Sequence, residues 1–169
     1  MDYQLTKQEL RKNKINRHLF LNLKRFPIIC VLNNPESLFN IGVIIRTCEA
    51  FRIEKLIISS QKEINLNSKK IKKTSKKAHK WFNVQIEKDI FKVIKNLKEN
   101  NYSIVAVEIT KNSFVYKEIT FNYPIAFIFG NEKKGLENEA INICDYSIHI
   151  DMYGMGNSLN LAVCSGIII

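Results

Sequence analysis

Five polar residues and a few glycines stand where this chain could do chemistry. Asn40 and Arg46 lie six residues apart at the start of a helical pattern. Glu132 sits between Gly130 and Gly135 in FGNEKKGL (129–136), and Ser158 and Asn160 close DMYGMGNSLN (151–160). Most of these have an ordinary structural reading: a helix cap for Asn40 or Ser158, a first-turn residue for Asn160, a surface ion pair for Arg46. Glu132 differs, because a carboxylate between glycines just after an apolar strand is more often functional than packed. Glycines at such junctions let the backbone turn sharply or approach a ligand closely. Gly154-Met155-Gly156 resembles the opening of a dinucleotide fingerprint, but Leu159 occupies the place of the third glycine and no βαβ unit follows. A nicotinamide-dependent oxidoreductase would rest on that G-x-G alone. No P-loop motif occurs, and His18, His79 and His149 are isolated, so no metal site is expected.

These residues need elements to hold them. Apolar runs at 27–32, 55–59, 102–107, 125–129 and 146–150 predict strands, each bounded by polar or turn residues. Helical spacing predicts helices at 40–51, 90–99, 137–143 and 158–169, with 68–80 a helix or a loop. Strands apolar on both faces, alternating with helices, imply an α/β fold: a mostly parallel sheet with helices on both faces. In such sheets ligands bind beyond the carboxyl ends of the strands, and both glycine-bearing junctions fall there.

The chain has 169 residues and a net charge of +10, with 46% hydrophobic and 25% charged residues. That is one globular domain, not a disordered chain. The charge is concentrated. Residues 1–26 carry seven basic residues against Asp2 and Glu9, and 62–80 carry eight lysines against Glu63. Those local charges of +5 and +7 leave −2 for the rest of the chain. Two basic segments on a near-neutral body point to a polyanion, with nucleic acid ahead of a membrane. The 69–77 stretch offers only Ile71 as an apolar face, which argues against a membrane surface. No apolar run approaches a membrane span, and the amino terminus has no secretory h-region. Cys30, Cys48, Cys144 and Cys164 are widely spaced, so buried free thiols in a reducing compartment are expected.

Three segments in order resemble the SpoU/TrmH family of RNA ribose 2′-O-methyltransferases, in the SPOUT superfamily. They are NIGVIIRTC (40–48) followed by Ala50-Phe51, FGNEKKGL (129–136), and IDMYGMGNSLN (150–160). The resemblance covers roughly 27–169 and leaves 1–26 as a basic extension. Val107-Glu108-Ile109-Thr110 and Pro124 also resemble the branch that methylates a tRNA guanosine in the D-loop.

The resemblance implies a deep trefoil knot in the carboxyl-terminal third. It also implies S-adenosylmethionine (SAM) as cofactor, bound bent in that knot largely through backbone at Val107, Gly130, Ile150 and Leu159. Arg46 would promote attack by the ribose hydroxyl, and Asn40 would position Arg46 or the ribose. Glu132 would orient loop and substrate, while Ser158 and Asn160 would hold the knot loop and catalytic pocket. The implied partners are RNA and a second copy of the chain, in a homodimer that sets one protomer's first motif beside the other's cofactor site. No membrane partner is expected, and the expected location is cytoplasmic. tRNA is favoured over rRNA, because a short basic extension stands where rRNA-modifying relatives commonly carry a full RNA-binding domain. Two departures matter. Asp151 stands where the family usually has proline, and the sequence ends at Ile169, where members usually continue the last helix. A non-catalytic RNA-binding module keeping the knot is the alternative from another class. The complete set Asn40, Arg46, Glu132, Ser158 and Asn160 argues against it.

Overall fold

The computed structural model describes residues 2–12 and 14–169. Met1 and Asn13 of the basic extension, and the side chain of Arg17, lie outside the described residues. The apolar run of 27–32 has no polar face, so its strand must be covered on both sides. It forms β1 (Phe26–Asn33), in which Ile29 through Leu32 are fully buried. Around it lie β2 (Ile53–Ser59), β3 (Val84–Glu87), β4 (Ser103–Val107), β5 (Phe114–Val115), β6 (Ile125–Phe129) and β7 (Tyr146–His149). All pairings are parallel, in the order β3-β2-β1-β6-β4-β7-β5. Cys30 pairs with Leu56 on one side and Phe127 on the other, so β1 and β6 stand at the middle of the sheet.

The helices are α1 (Lys7–Lys12), α2 (Arg17–Asn22), α3 (Leu38–Ala50), α4 (Lys69–Ser75), α5 (Ile90–Glu99), α6 (Asn138–Asn142) and α7 (Leu161–Ile168). Alternate strand residues feed two cores. Cys30, Leu32, Phe127 and Phe129 pack with α3, α4 and α7, whereas Ile29, Val31, Ala126 and Ile128 pack with α5 and α6. α5 shows the local logic. Asp89 caps it by accepting from Phe91 N at 2.9 Å, and Ile90, Val93, Ile94 and Leu97 form its buried stripe. The α3–α4 contact depends on Gly42. A Cβ there would lie 1.9 Å from Thr74 Oγ1 and 2.9 Å from the Ile71 carbonyl oxygen, so the two helices could not approach this closely.

Several expectations shift. Two short strands, β3 and β5, were not signalled, because they close the sheet edges with partly exposed residues. The 68–80 segment splits into α4 and a 3-10 turn at Ala78–Lys80, separated by Lys76 and Lys77 in the left-handed region. The helix expected at 158–169 begins only at Leu161. Its cap is Asn160, whose Oδ1 accepts from Ala162 N at 2.9 Å, and Ser158 lies in the preceding loop. Asn40 is likewise inside its helix, because Ser37 takes the cap of α3. The four cysteines are free thiols. Burial pushes Cys164 up to about 11 and Cys144 up to about 12. Among the described residues, no helix is long and apolar enough to cross a membrane.

Candidate functional site

A cleft of about 800 Å³ opens beyond the carboxyl ends of β4, β6 and β7. Val107, Phe129 and Ile150 bring it strand ends, and Leu159, Leu161 and Cys164 add apolar wall. Glu108, Glu132, Ser158 and Asn160 add polar groups. Eight of the nine residues singled out in the sequence stand together: Val107, Gly130, Glu132, Ile150, Ser158, Leu159 and Asn160 line the cleft, and Asn40 is hydrogen-bonded into it.

The loop after β6 forms one side. Asn131 and Gly135 close it with a pair of backbone hydrogen bonds of 3.1 and 2.9 Å. The Asn131 side chain fills the inside, accepting from Lys133 N and Lys134 N and donating to the Asn34 carbonyl at 2.7 Å. Gly130 is required by this tightness, since a Cβ there would sit 2.4 Å from the Gly135 carbonyl carbon. Glu108 buttresses the far end, its Oε2 accepting from Leu136 N at 3.0 Å. Asn131 and Glu108 carry structural roles the sequence reading did not assign. Their signal was a polar residue within two positions of the end of an apolar parallel strand.

Glu132 ties this loop to α3. Its Oε2 accepts from Glu36 N at 2.8 Å, and its Oε1 accepts from Ser37 N and Asn40 Nδ2, each at 3.1 Å. The carboxylate thus sits at the amino-terminal end of α3, where exposed N–H groups and the helix dipole favour negative charge. Burial alone would raise its pKa. The hydrogen bonds from Glu36, from its own amide, and from Asn40 and Ser37 outweigh that and hold it below the ordinary carboxylate range. The relay continues through Asn40 Oδ1, which accepts from Asn160 Nδ2 at 3.2 Å, while Asn160 caps α7. One chain of side chains therefore joins the loop after β6, the first turn of α3 and the start of α7.

Arg46 is set apart. Six residues along a helix rotate a side chain by roughly 240° from Asn40, onto another face. Arg46 is exposed there and lines a separate depression of about 260 Å³ with Val43, Thr47, Ala50, Phe51 and Thr74. The Asn40 amide is engaged by Glu132 and Asn160 rather than by Arg46. Thr74 belongs to α4, so this depression borders the lysine-rich segment, whose eight lysines are all exposed. In the other basic segment, Arg25 has a structural task. Its guanidinium lies 5.3 Å from the Phe20 ring centroid and 5.6 Å from that of Phe82, tying the extension to the body.

The cleft's size and its mixture of apolar strand-end walls with a few fixed polar groups suit a nucleoside-sized ligand. The residues present therefore fit SAM: Val107, Ile150, Leu159 and Leu161 can cover an apolar ring, and strand-end backbone can read its polar edge.

Comparison with known proteins bears on this arrangement. Residues 27–169 match the SpoU rRNA methylase family. The chain is similar to the tRNA (guanosine(18)-2′-O)-methyltransferase of Thermus thermophilus, 27% identical over 95% of this chain and 80% of that one. It is 30% identical to the enzyme of the same name from Aquifex aeolicus, over 88% of this chain and 70% of that one. Among solved structures, the A. aeolicus TrmH/SpoU tRNA modifying enzyme superposes with a TM-score of 0.78 at 28% identity, covering 90% of this chain and 76% of that one. The AdoMet-bound rRNA methyltransferase of Sinorhizobium meliloti shares the fold, with a TM-score of 0.77 at 20% identity, over 88% and 57% of the two chains.

Proposed function

The chain belongs to the SpoU rRNA methylase family, and from that premise we propose that it transfers a methyl group from SAM to a ribose 2′-hydroxyl of RNA. The observation that carries this is the Glu132–Asn40–Asn160 relay set over the strand-end cleft. It joins all three motifs and leaves Arg46 open to a substrate. The relatives named as tRNA methyltransferases favour a tRNA target, and the 107–110 segment favours a D-loop guanosine.

Bound SAM supplies a methyl group made electrophilic by its sulfonium. Val107, Ile150 and Leu159 would cover the nucleoside part, and Gly130 would keep the neighbouring loop tight against it. Attack by the 2′ oxygen would displace the sulfur from the methyl carbon, releasing the neutral thioether, and the hydroxyl proton would pass to solvent. An arginine keeps its charge in proteins, so Arg46 would stabilise the developing oxyanion and hold a neighbouring phosphate. Glu132 and Asn40 would fix α3, and with it the approach of Arg46. Ser158 and Asn160 would shape the rim of the cleft.

Arg46 and the cleft lie apart within one chain, which supports a homodimer pairing one protomer's Arg46 with its partner's cleft. α3 and α7 carry the exposed apolar residues Phe39, Val43, Val163 and Ile167 that such an interface would bury. The threaded carboxyl-terminal knot belongs to the same proposal. It is supported by β6 lying inside the sheet and by the return of α7 to pack on α3. Residues 27–169 would form the methyltransferase domain, with 1–26 and 62–80 contacting RNA phosphates, in the cytoplasm. The deciding experiment is incubation with labelled SAM and total RNA, followed by mapping of the modified nucleotide. A 2′-O-methylated tRNA nucleotide is expected. Methylation confined to rRNA would overturn the tRNA target, and RNA binding without transfer would favour the non-catalytic module.

A further inference from the structure

After β7 the chain runs through 151–159 to the cap of α7. Among the described residues this segment makes no backbone–backbone hydrogen bond. Most of it is exposed, Tyr153 at 87% and Met155 at 101%. A Cβ at Gly154 would meet nothing within 4 Å. Yet Met152, Ser158 and Leu159 from this segment form one wall of the cleft.

Its side-chain ties converge on one carboxylate. Asp151 Oδ2 accepts from Tyr153 OH at 3.0 Å and lies 3.8 Å from Lys117 Nζ, and Oδ1 lies 3.6 Å from His149 Nε2. Each partner belongs to a different part of the molecule. Tyr153 is on the segment itself, and Lys117 is on the 3-10 turn Tyr116–Glu118 that follows the edge strand β5. His149 ends β7 and is held from behind, its Nδ1 2.9 Å from Ser113 Oγ. Ser113 is itself fixed by donating to the Thr110 carbonyl and accepting from Thr110 N, each at 3.0 Å. Asp151 thus faces a braced edge of the sheet. A segment ordered before a ligand arrives loses less conformational freedom on binding, which raises affinity.

We propose that Asp151 is a positioning residue whose carboxylate, through Tyr153, Lys117 and His149, holds the 151–159 segment as a preformed wall of the cleft and so sets cofactor affinity. The inference rests on the reading of this cleft as the SAM site. The test compares wild type with Asp151→Asn and Asp151→Glu by calorimetry with SAM and by backbone NMR order parameters of the cofactor-free protein. Partly exposed ion pairs are individually weak, so Asp151→Asn should lower SAM affinity about three- to tenfold, with Asp151→Glu recovering part of it. Order parameters across 152–159 should fall in Asp151→Asn, and about 1 M salt should lower them in wild type but not in the variant. Unchanged order parameters in Asp151→Asn, or unchanged SAM affinity, overturn the proposal. A wild-type chain that binds no SAM sinks the cofactor reading itself. The order-parameter comparison would then still decide whether Asp151 holds the segment.

Discussion

The first turn of α3 and the middle of the same helix are built in opposite ways. At the first turn, Asn40 and the preceding amides are bound by Glu132 and Asn160, side chains far away in sequence. Six residues further on, Arg46 stands exposed beside a basic neighbour, α4. The first turn is fastened to the rim of the strand-end cleft, and the middle is presented outward. Rigid placement of a helix with an uncommitted cation on it is what an enzyme needs to act on a bulky polyanion. The geometry is fixed by a set of hydrogen bonds, while the charge remains uncommitted.

The contrast can be broken from either side. The largest effect should come from Arg46→Ala. Methyl transfer should fall by at least about 100-fold, because a charge-stabilising group is lost. Thermal unfolding should stay within about 2 °C of wild type, as expected for an exposed side chain. Transfer at the wild-type rate would remove Arg46 from catalysis, and a large drop in melting temperature would mean the exposed middle is structural after all. Replacing Lys69, Lys70, Lys72 and Lys73 together by glutamine should weaken RNA binding about tenfold or more and flatten its salt dependence. SAM affinity should not change, and equal loss of both would show that the basic surface and the cleft are not separate.

The fastened end should answer to stability measurements. Asn40→Ala leaves Glu132 and Asn160 each short of a partner, so urea denaturation should show a loss of about 1–2 kcal/mol. The smallest effect is in acid. Glu132 has a folded-state pKa below its unfolded value, so its stabilisation is full above the ordinary carboxylate pKa and fades as pH falls through the depressed one. Glu132→Gln should therefore be less stable than wild type near neutrality, with the gap closing below about pH 4. A gap independent of pH would show that the carboxylate's charge contributes nothing at the head of α3.

The central strands were legible because a strand buried on both faces has no polar alternation to confuse it. PIICVL and IAFIF became β1 and β6 almost residue for residue. The edge strands were not legible, since Val84–Glu87 and Phe114–Val115 are short and half-exposed and take their conformation from a neighbour. Site residues were legible as types, but their hydrogen-bond partners were not. Asn160 rather than Ser158 caps α7, and Asn40 bonds to Glu132 rather than to Arg46. The packing of Arg25 against the Phe20 and Phe82 rings was not legible either, since Phe82 lies far from Arg25 in sequence.

What the sequence determined by itself was what short-range chemistry can encode: a parallel α/β core, two basic segments on a near-neutral body, and the three motifs that carry the family resemblance. What only the tertiary structure decided was who meets whom. Glu132 reaches the amide of Glu36, and Asn160 reaches Asn40, across 96 and 120 residues. Hydropathy and spacing act over a few residues. Such meetings depend on the order in which strands join the sheet, while the helical rotation between Asn40 and Arg46 turns one toward the cleft and the other away from it.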